Sequence, residues 1–73
     1  MSNTQHFGRI VREHREKRGL SLKTVAELCG ISERGLEQIE LGDTNPKLSN
    51  VLSIAATLEI DIGELNSCIP QLV

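Results

Sequence analysis

A chain of 73 residues has room for one domain with one small core, and a hydrophobic content of 38% suits a globular chain. One Phe and no Trp or Tyr exclude a reader of single strands that stacks bases on aromatic rings. A formal net charge of −2 argues against indiscriminate binding of polyanions, but the charge is uneven: residues 1–34 hold seven Lys and Arg against four acids, and residues 35–73 hold one Lys against six.

In chain order, residues 1–4 read as a frayed N-terminus. Asn3 or Thr4 can cap a first helix over about 5–18, with Phe7, Ile10, Val11 and His14 on its apolar side. Arg9, Arg12, Glu13, Glu16 and Lys17 form its solvated side, Arg15 lies on the border, and Gly19 ends it. Residues 20–40, LSLKTVAELCGISERGLEQIE, read as two short helices joined by a tight turn. Ser21 caps a helix running to about Cys29, Gly30 takes the left-handed turn, and Ser32 caps a second helix to about Leu41. Leu20, Val25, Ala26, Cys29, Ile31, Leu36 and Ile39 fit two helices crossing over one core.

The long polar residues Glu33, Arg34, Glu37 and Gln38 fall on the other face of that second helix. A short helix braced from behind with such a face fits the DNA major groove, where Arg pairs with guanine, Gln with adenine, and Glu accepts from cytosine. Glu37 is expected to brace Arg34 rather than bind phosphate. The plainer reading of the four is a solvated charged face.

Residues 42–47 read as a loop. A fourth helix runs from Leu48 to about Glu59 with a buried stripe of Leu48, Val51, Leu52, Ala55 and Leu58, leaving Ile54 off the stripe. Asp61-x-x-Glu64 reads as a capping box opening a short fifth helix, with Ile62 and Leu65 as its apolar contacts. The tail, residues 66–73, contains Pro70 yet is apolar through Cys68, Ile69, Leu72 and Val73. Ile54, Ile60, Ile62, Leu65, Ile69, Leu72 and Val73 exceed what so small a core can bury. Of these, Ile54, Ile62, Leu65, Ile69 and Leu72 are expected to form a homodimer interface, the alternative being a tail folded over its own core. The whole is expected to be one domain with its core in residues 5–65.

Cys29 and Cys68 lack CxxC spacing. Cys29 is expected to be a buried free thiol in a reducing cytoplasm. Residues 1–5 carry no signal-peptide charge, and no run approaches the ~20 apolar residues of a membrane span. His6, His14, Cys29 and Cys68 match no metal-ligand spacing. No nucleophile–base pair, phosphate loop or carboxylate pair stands out, so neither an enzyme nor a cofactor is expected.

One ordered set of residues carries a resemblance: Arg15, Gly19-Leu20-Ser21, Val25-Ala26-Glu27, Gly30-Ile31-Ser32, Ile39-Glu40 with Gly42, Asn45-Pro46, then Leu52, Ala55, Leu58, Ile60 and Glu64-Leu65. Over about residues 7–65 this resembles the Cro/cI-type (XRE-like) helix-turn-helix repressor family. The resemblance implies an all-α, compact five-helix bundle of the lambda-repressor-like kind. It also implies sequence-specific binding of double-stranded operator DNA as a dimer, with reading helices about one DNA turn, ~34 Å, apart. It implies that Arg15 pairs with Glu40, pinning the first helix to the third. Phosphate contacts are expected around the helix starts and the loop, at Ser21, Lys23, Ser32, Thr44, Asn45 and Lys47.

The chain departs from the family pattern in three places. Leu22 stands where Gln usually touches DNA. Leu28 stands at an often polar position. Gly35 sits inside the reading helix, at a cost of roughly 1 kcal/mol against Ala. The glycine suggests a helix that tightens on binding or a close approach of a backbone, and the three departures bear on the base-reading code more than on the fold. The alternative function is a protein-interaction module of the same fold using acidic charge and a Leu22/Leu28 surface. The leading expectation is a cytoplasmic, bacterial or phage-encoded and nucleoid-associated transcriptional regulator.

Overall fold

The computed structural model describes residues 3–65, which form five helices: α1 (Asn3–Lys17), α2 (Leu22–Cys29), α3 (Glu33–Leu41), α4 (Leu48–Leu58) and α5 (Ile62–Leu65). No strand occurs among the described residues. Asn3 and Thr4, expected to fray, already belong to α1. Its first turn leans on the end of α3, where a Cβ added at Gly42 would lie 2.6 Å from Gln5 Cγ.

The core takes one side of every helix: Phe7, Ile10 and Val11; Val25 and Ala26; Leu36 and Ile39; Val51, Ile54, Ala55 and Leu58; then Ile60 and Leu65. Leu20, Leu22, Cys29 and Ile31 pack around its edge. Each fully buried aliphatic or aromatic side chain contributes about 1.5–3 kcal/mol of transfer free energy.

The helix ends follow the local chemistry of the sequence. Ser21 Oγ accepts from Thr24 N–H at 3.1 Å and Ser32 Oγ accepts from Gly35 N–H at 2.9 Å. Gly30 and Gly42 take φ of 74° and 77°, closing α2 and α3 in the left-handed region that a Cβ disfavours. Asp61 Oδ1 accepts from Gly63 N–H at 3.0 Å to open α5, and the Glu64 carboxylate lies 3.3 Å from His14 Nε2 on α1.

Helix α4 is turned relative to the expected stripe. It buries Val51, Ile54, Ala55 and Leu58, while Leu48 and Leu52 stay 40% and 45% exposed. Seven apolar residues cover more than half the helix circumference, so two overlapping stripes fit the pattern. Packing against α2 selects one, turning Thr57 inward until its Oγ1 lies 3.5 Å from Cys29 Sγ. Cys29 is consequently half-buried rather than fully enclosed. Ile54 and Leu65, expected at a dimer interface, are fully inside this chain's own core and have no surface to offer a second copy. The Ile62 side chain, Ile69, Leu72 and the rest of the tail lie outside the described residues.

Helix α4 ends on a residue that the sequence does not mark. Glu59 adopts φ 55°, ψ 44° and donates its N–H to Ala55 O. A non-glycine residue in this conformation costs roughly 1–2 kcal/mol. Its carboxylate pairs with Arg18 at 3.2 Å, but at an exposed position, where such a pair contributes at most about 1 kcal/mol. Glu59→Gly is therefore expected to stabilise the domain by about 0.5–1 kcal/mol in a denaturant titration; a lower midpoint would show that the ion pair outweighs the strain.

Candidate nucleic-acid interface

The α2–α3 unit is fixed by short-range bonds before any partner is considered. Ile31 N–H donates to Ala26 O at 3.0 Å across the turn, and Asp43 N–H donates to Gln38 O at 3.0 Å beyond α3. From behind, α1 locks α3 by close approach and by charge. A Cβ added at Gly8 would lie 2.3 Å from Ile39 O and 2.6 Å from Glu40 O, so the two backbones meet where only glycine fits.

Two turns further along α1, the Arg15 guanidinium grips Glu40 bidentately, Nε to Oε2 at 2.7 Å and Nη2 to Oε1 at 3.1 Å. The expected pair is thus present. Arg15 Nη1 adds a bond to Leu20 O at 2.9 Å that the sequence does not announce, tying α1 to the start of α2 as well. The two side chains are only 13% and 6% exposed. The hydrogen bonds to Glu40 push the Arg15 pKa above its ordinary value, outweighing the opposite effect of burial.

The outer face of α3 is the reverse. Glu33, Arg34 and Glu37 are exposed and Gln38 half-buried. Among the described residues none of these four side chains makes a hydrogen bond or ion pair, so the expected bracing of Arg34 by Glu37 is absent.

Beside this face, α3 and the loop after it enclose a groove of about 220 Å³, walled by Gly35 and Gln38 on one side and by Thr44, Asn45, Lys47 and Asn50 on the other. It brings together four of the sequence-predicted residues. It also adds two that sequence reading had not gathered: Asn50, one turn into α4, and Gly35. Buried Pro46 anchors the loop between them. Lys47 occupies the N-cap of α4 without a side-chain capping bond. Lys23 is exposed in the first turn of α2. The Ser21 and Ser32 hydroxyls serve their own helices as caps, and Ser21 also donates to Thr24 Oγ1 at 2.9 Å.

On the opposite flank of α3, Leu22 is half-buried against the core, in a groove of about 190 Å³ with Arg12, Glu37 and Leu41. Of the two leucines expected on an interaction surface, only Leu28 stands fully out, at 65% exposure. Among the described residues no three His, Cys, Asp or Glu side chains converge on a metal position, and no helix is long and apolar enough to cross a membrane.

The family model for the helix-turn-helix matches residues 11–65. The HTH-type transcriptional regulator SlrR of Bacillus subtilis (strain 168) is 39% identical over 60 residues, which are 81% of this chain and 40% of SlrR. The HTH-type transcriptional regulator DdrOP3 of Deinococcus deserti is 42% identical over 55 residues, 75% of this chain and 43% of the relative. The chain thus spans less than half the length of these two regulators. Among solved structures, the restriction-modification controller protein C.AhdI from Aeromonas hydrophila superposes with a TM-score of 0.79 at 37% identity, covering 85% of this chain and 94% of the controller. Matched from within α1 through α5 by the family model and over most of its length by these relatives, the chain belongs to the XRE-like helix-turn-helix family of DNA-binding transcriptional regulators.

Proposed function

We propose that the domain reads a pseudo-palindromic operator in double-stranded DNA as a homodimer, through the outer face of α3, and so regulates transcription in the cytoplasm. The observation that carries this reading is the contrast between the two sides of α3. Its inner side is locked by the core, Gly8 and the Arg15–Glu40 pair, while Glu33, Arg34, Glu37 and Gln38 project without partners of their own. A rigid helix with unspent hydrogen-bonding side chains is what base-edge recognition requires. Thr44, Asn45 and Lys47 lie beside that helix, where a phosphate strand flanking the groove would pass, and Lys23 stands in the first turn of α2. Ser21 and Ser32 contribute through the backbone N–H groups of the helix starts, their hydroxyls being engaged. For the second copy, exposed Leu48 and Leu52 on α4 replace the buried Ile54 and Leu65 as the apolar surface.

Selection from a random duplex pool tests the reading. Recovered sequences with two-fold symmetry and half-sites about one turn apart support a dimeric operator reader. An unenriched pool from folded protein refutes it and turns attention to a protein partner at Leu28. On the selected duplex, Arg34→Ala is expected to weaken binding by about 5- to 150-fold, the roughly 1–3 kcal/mol of one bidentate base contact, with no change in sedimentation. Unchanged affinity would remove Arg34 from the reading face.

A further inference from the structure

The flank of α3 away from the loop carries an apolar surface that the polar outer face does not account for. Leu41 ends α3 at 56% exposure and continues the row of Glu33 and Glu37 at positions i, i+4 and i+8. Leu22 opens α2, packs in part on the core, and lines with Leu41 the groove of about 190 Å³ on this flank. The remaining lining is Arg12, Arg15, Glu37 and Glu40. Three of these four charges are already engaged. Arg15 and Glu40, the least exposed, hold each other, and Arg12 Nε pairs with Glu16 at 3.3 Å. The Glu37 carboxylate makes no hydrogen bond or ion pair among the described residues.

An unpaired carboxylate repels phosphate, so this groove does not suit a backbone strand. What it offers is two leucines beside a face suited to base edges. A leucine side chain has no donor or acceptor, so it cannot read the hydrogen-bonding pattern of a base pair. One base edge in the major groove carries an apolar group, the 5-methyl of thymine. We infer that Leu22 and Leu41 read a thymine methyl at one position of each half-site, extending the reading face beyond its four polar residues. The contact is to the methyl rather than to the base, so 5-methylcytosine substitutes for thymine there and the domain responds to cytosine methylation at that position. The inference rests on the reading of the domain as a DNA binder through α3.

The test is fluorescence anisotropy on the selected duplex, with each thymine replaced in turn by deoxyuridine in both half-sites. Uracil keeps the hydrogen-bonding edge of thymine and lacks the methyl. At one position the replacement is expected to weaken binding by the parent about three- to fivefold per half-site, the worth of one buried methyl group. With cytosine at that position, 5-methylation is expected to restore a similar factor. Leu22→Gln and Leu41→Ala are titrated on the same duplexes at a temperature where circular dichroism shows full folding, and each is expected to bind the thymine and uracil duplexes more nearly equally than the parent does. Leu41 is exposed, so its variant tests the contact without disturbing the core edge that Leu22 helps to cover. A parent that binds every uracil duplex as tightly as the selected one overturns the inference alone, as does a selected half-site without thymine. A methyl preference that keeps its full size in either leucine variant also overturns it, because another residue would then be reading the methyl. An unenriched pool overturns the DNA reading and the inference together.

Discussion

Glu40→Ala is expected to destabilise the domain by about 3 kcal/mol, lowering its melting temperature by roughly 10 °C or more. The magnitude comes from what is left behind. Arg15 would keep its charge in a site where it is 13% exposed, with only the Leu20 carbonyl at 2.9 Å as a remaining partner. A stranded buried charge costs several kcal/mol even where the intact pair contributes little over an apolar replacement. The double variant Arg15→Met/Glu40→Leu separates these cases: it is expected to fall within about 1 kcal/mol of the parent, because neither charge remains. A single Glu40→Ala variant melting within a degree of the parent would sink the argument. Because the Arg15 pKa is raised on folding by the Glu40 carboxylate, its contribution is lost on the alkaline side only as pH rises through the arginine range, and neutral-range titration should leave it untouched.

Gly8→Ala is expected to be as damaging, by about 3 kcal/mol or outright loss of the folded state, although alanine is the better helix former. The added methyl would sit 2.3 Å from one carbonyl oxygen of α3 and 2.6 Å from the next. Both are backbone atoms within a hydrogen-bonded helix, so relief comes only by moving α1 away from α3. That movement would stretch the Arg15–Glu40 bonds on the same seam, so the two lesions are expected to be non-additive in a double-mutant cycle. Gly35→Ala is the milder comparison, since its methyl meets a side-chain oxygen, the Ser32 hydroxyl that caps α3, rather than the backbone of another helix. Equal melting temperatures for Gly8→Ala and the parent would show that the seam yields more easily than its geometry implies.

Much of this arrangement is legible in the sequence where one residue type has one role. Serine before a helix and glycine after it mark both ends of α2 and α3, and polar residues at helical spacing mark the outer face of α3. The pairing of Arg15 with Glu40 came from family resemblance, since nothing in the spacing of two charges 25 positions apart singles them out. Legibility fails where the pattern is degenerate. Helix α4 has more apolar residues than one face needs, so its rotation follows from packing against α2 rather than from its own periodicity. That rotation is why Ile54 looked available to a partner and is not. Glu59 hides the left-handed end of α4 behind a residue that rarely adopts it. Gly8 reads as a minor helix penalty until α3 is placed against it. The groove is likewise invisible along the chain, because its two walls are brought together by the turn after α3.

The free outer face of α3 and its locked inner face also bear on inheritance. Changes at residues 33, 34, 37 and 38 touch no internal bond of the described structure, so descendants of this chain are free to acquire a new target while keeping the same scaffold. A genetic screen for suppressors of an altered target site should accordingly return alleles on that face. A screen for temperature-sensitive alleles should return the seam at Gly8, Arg15 and Glu40, and the two sets are expected to overlap little.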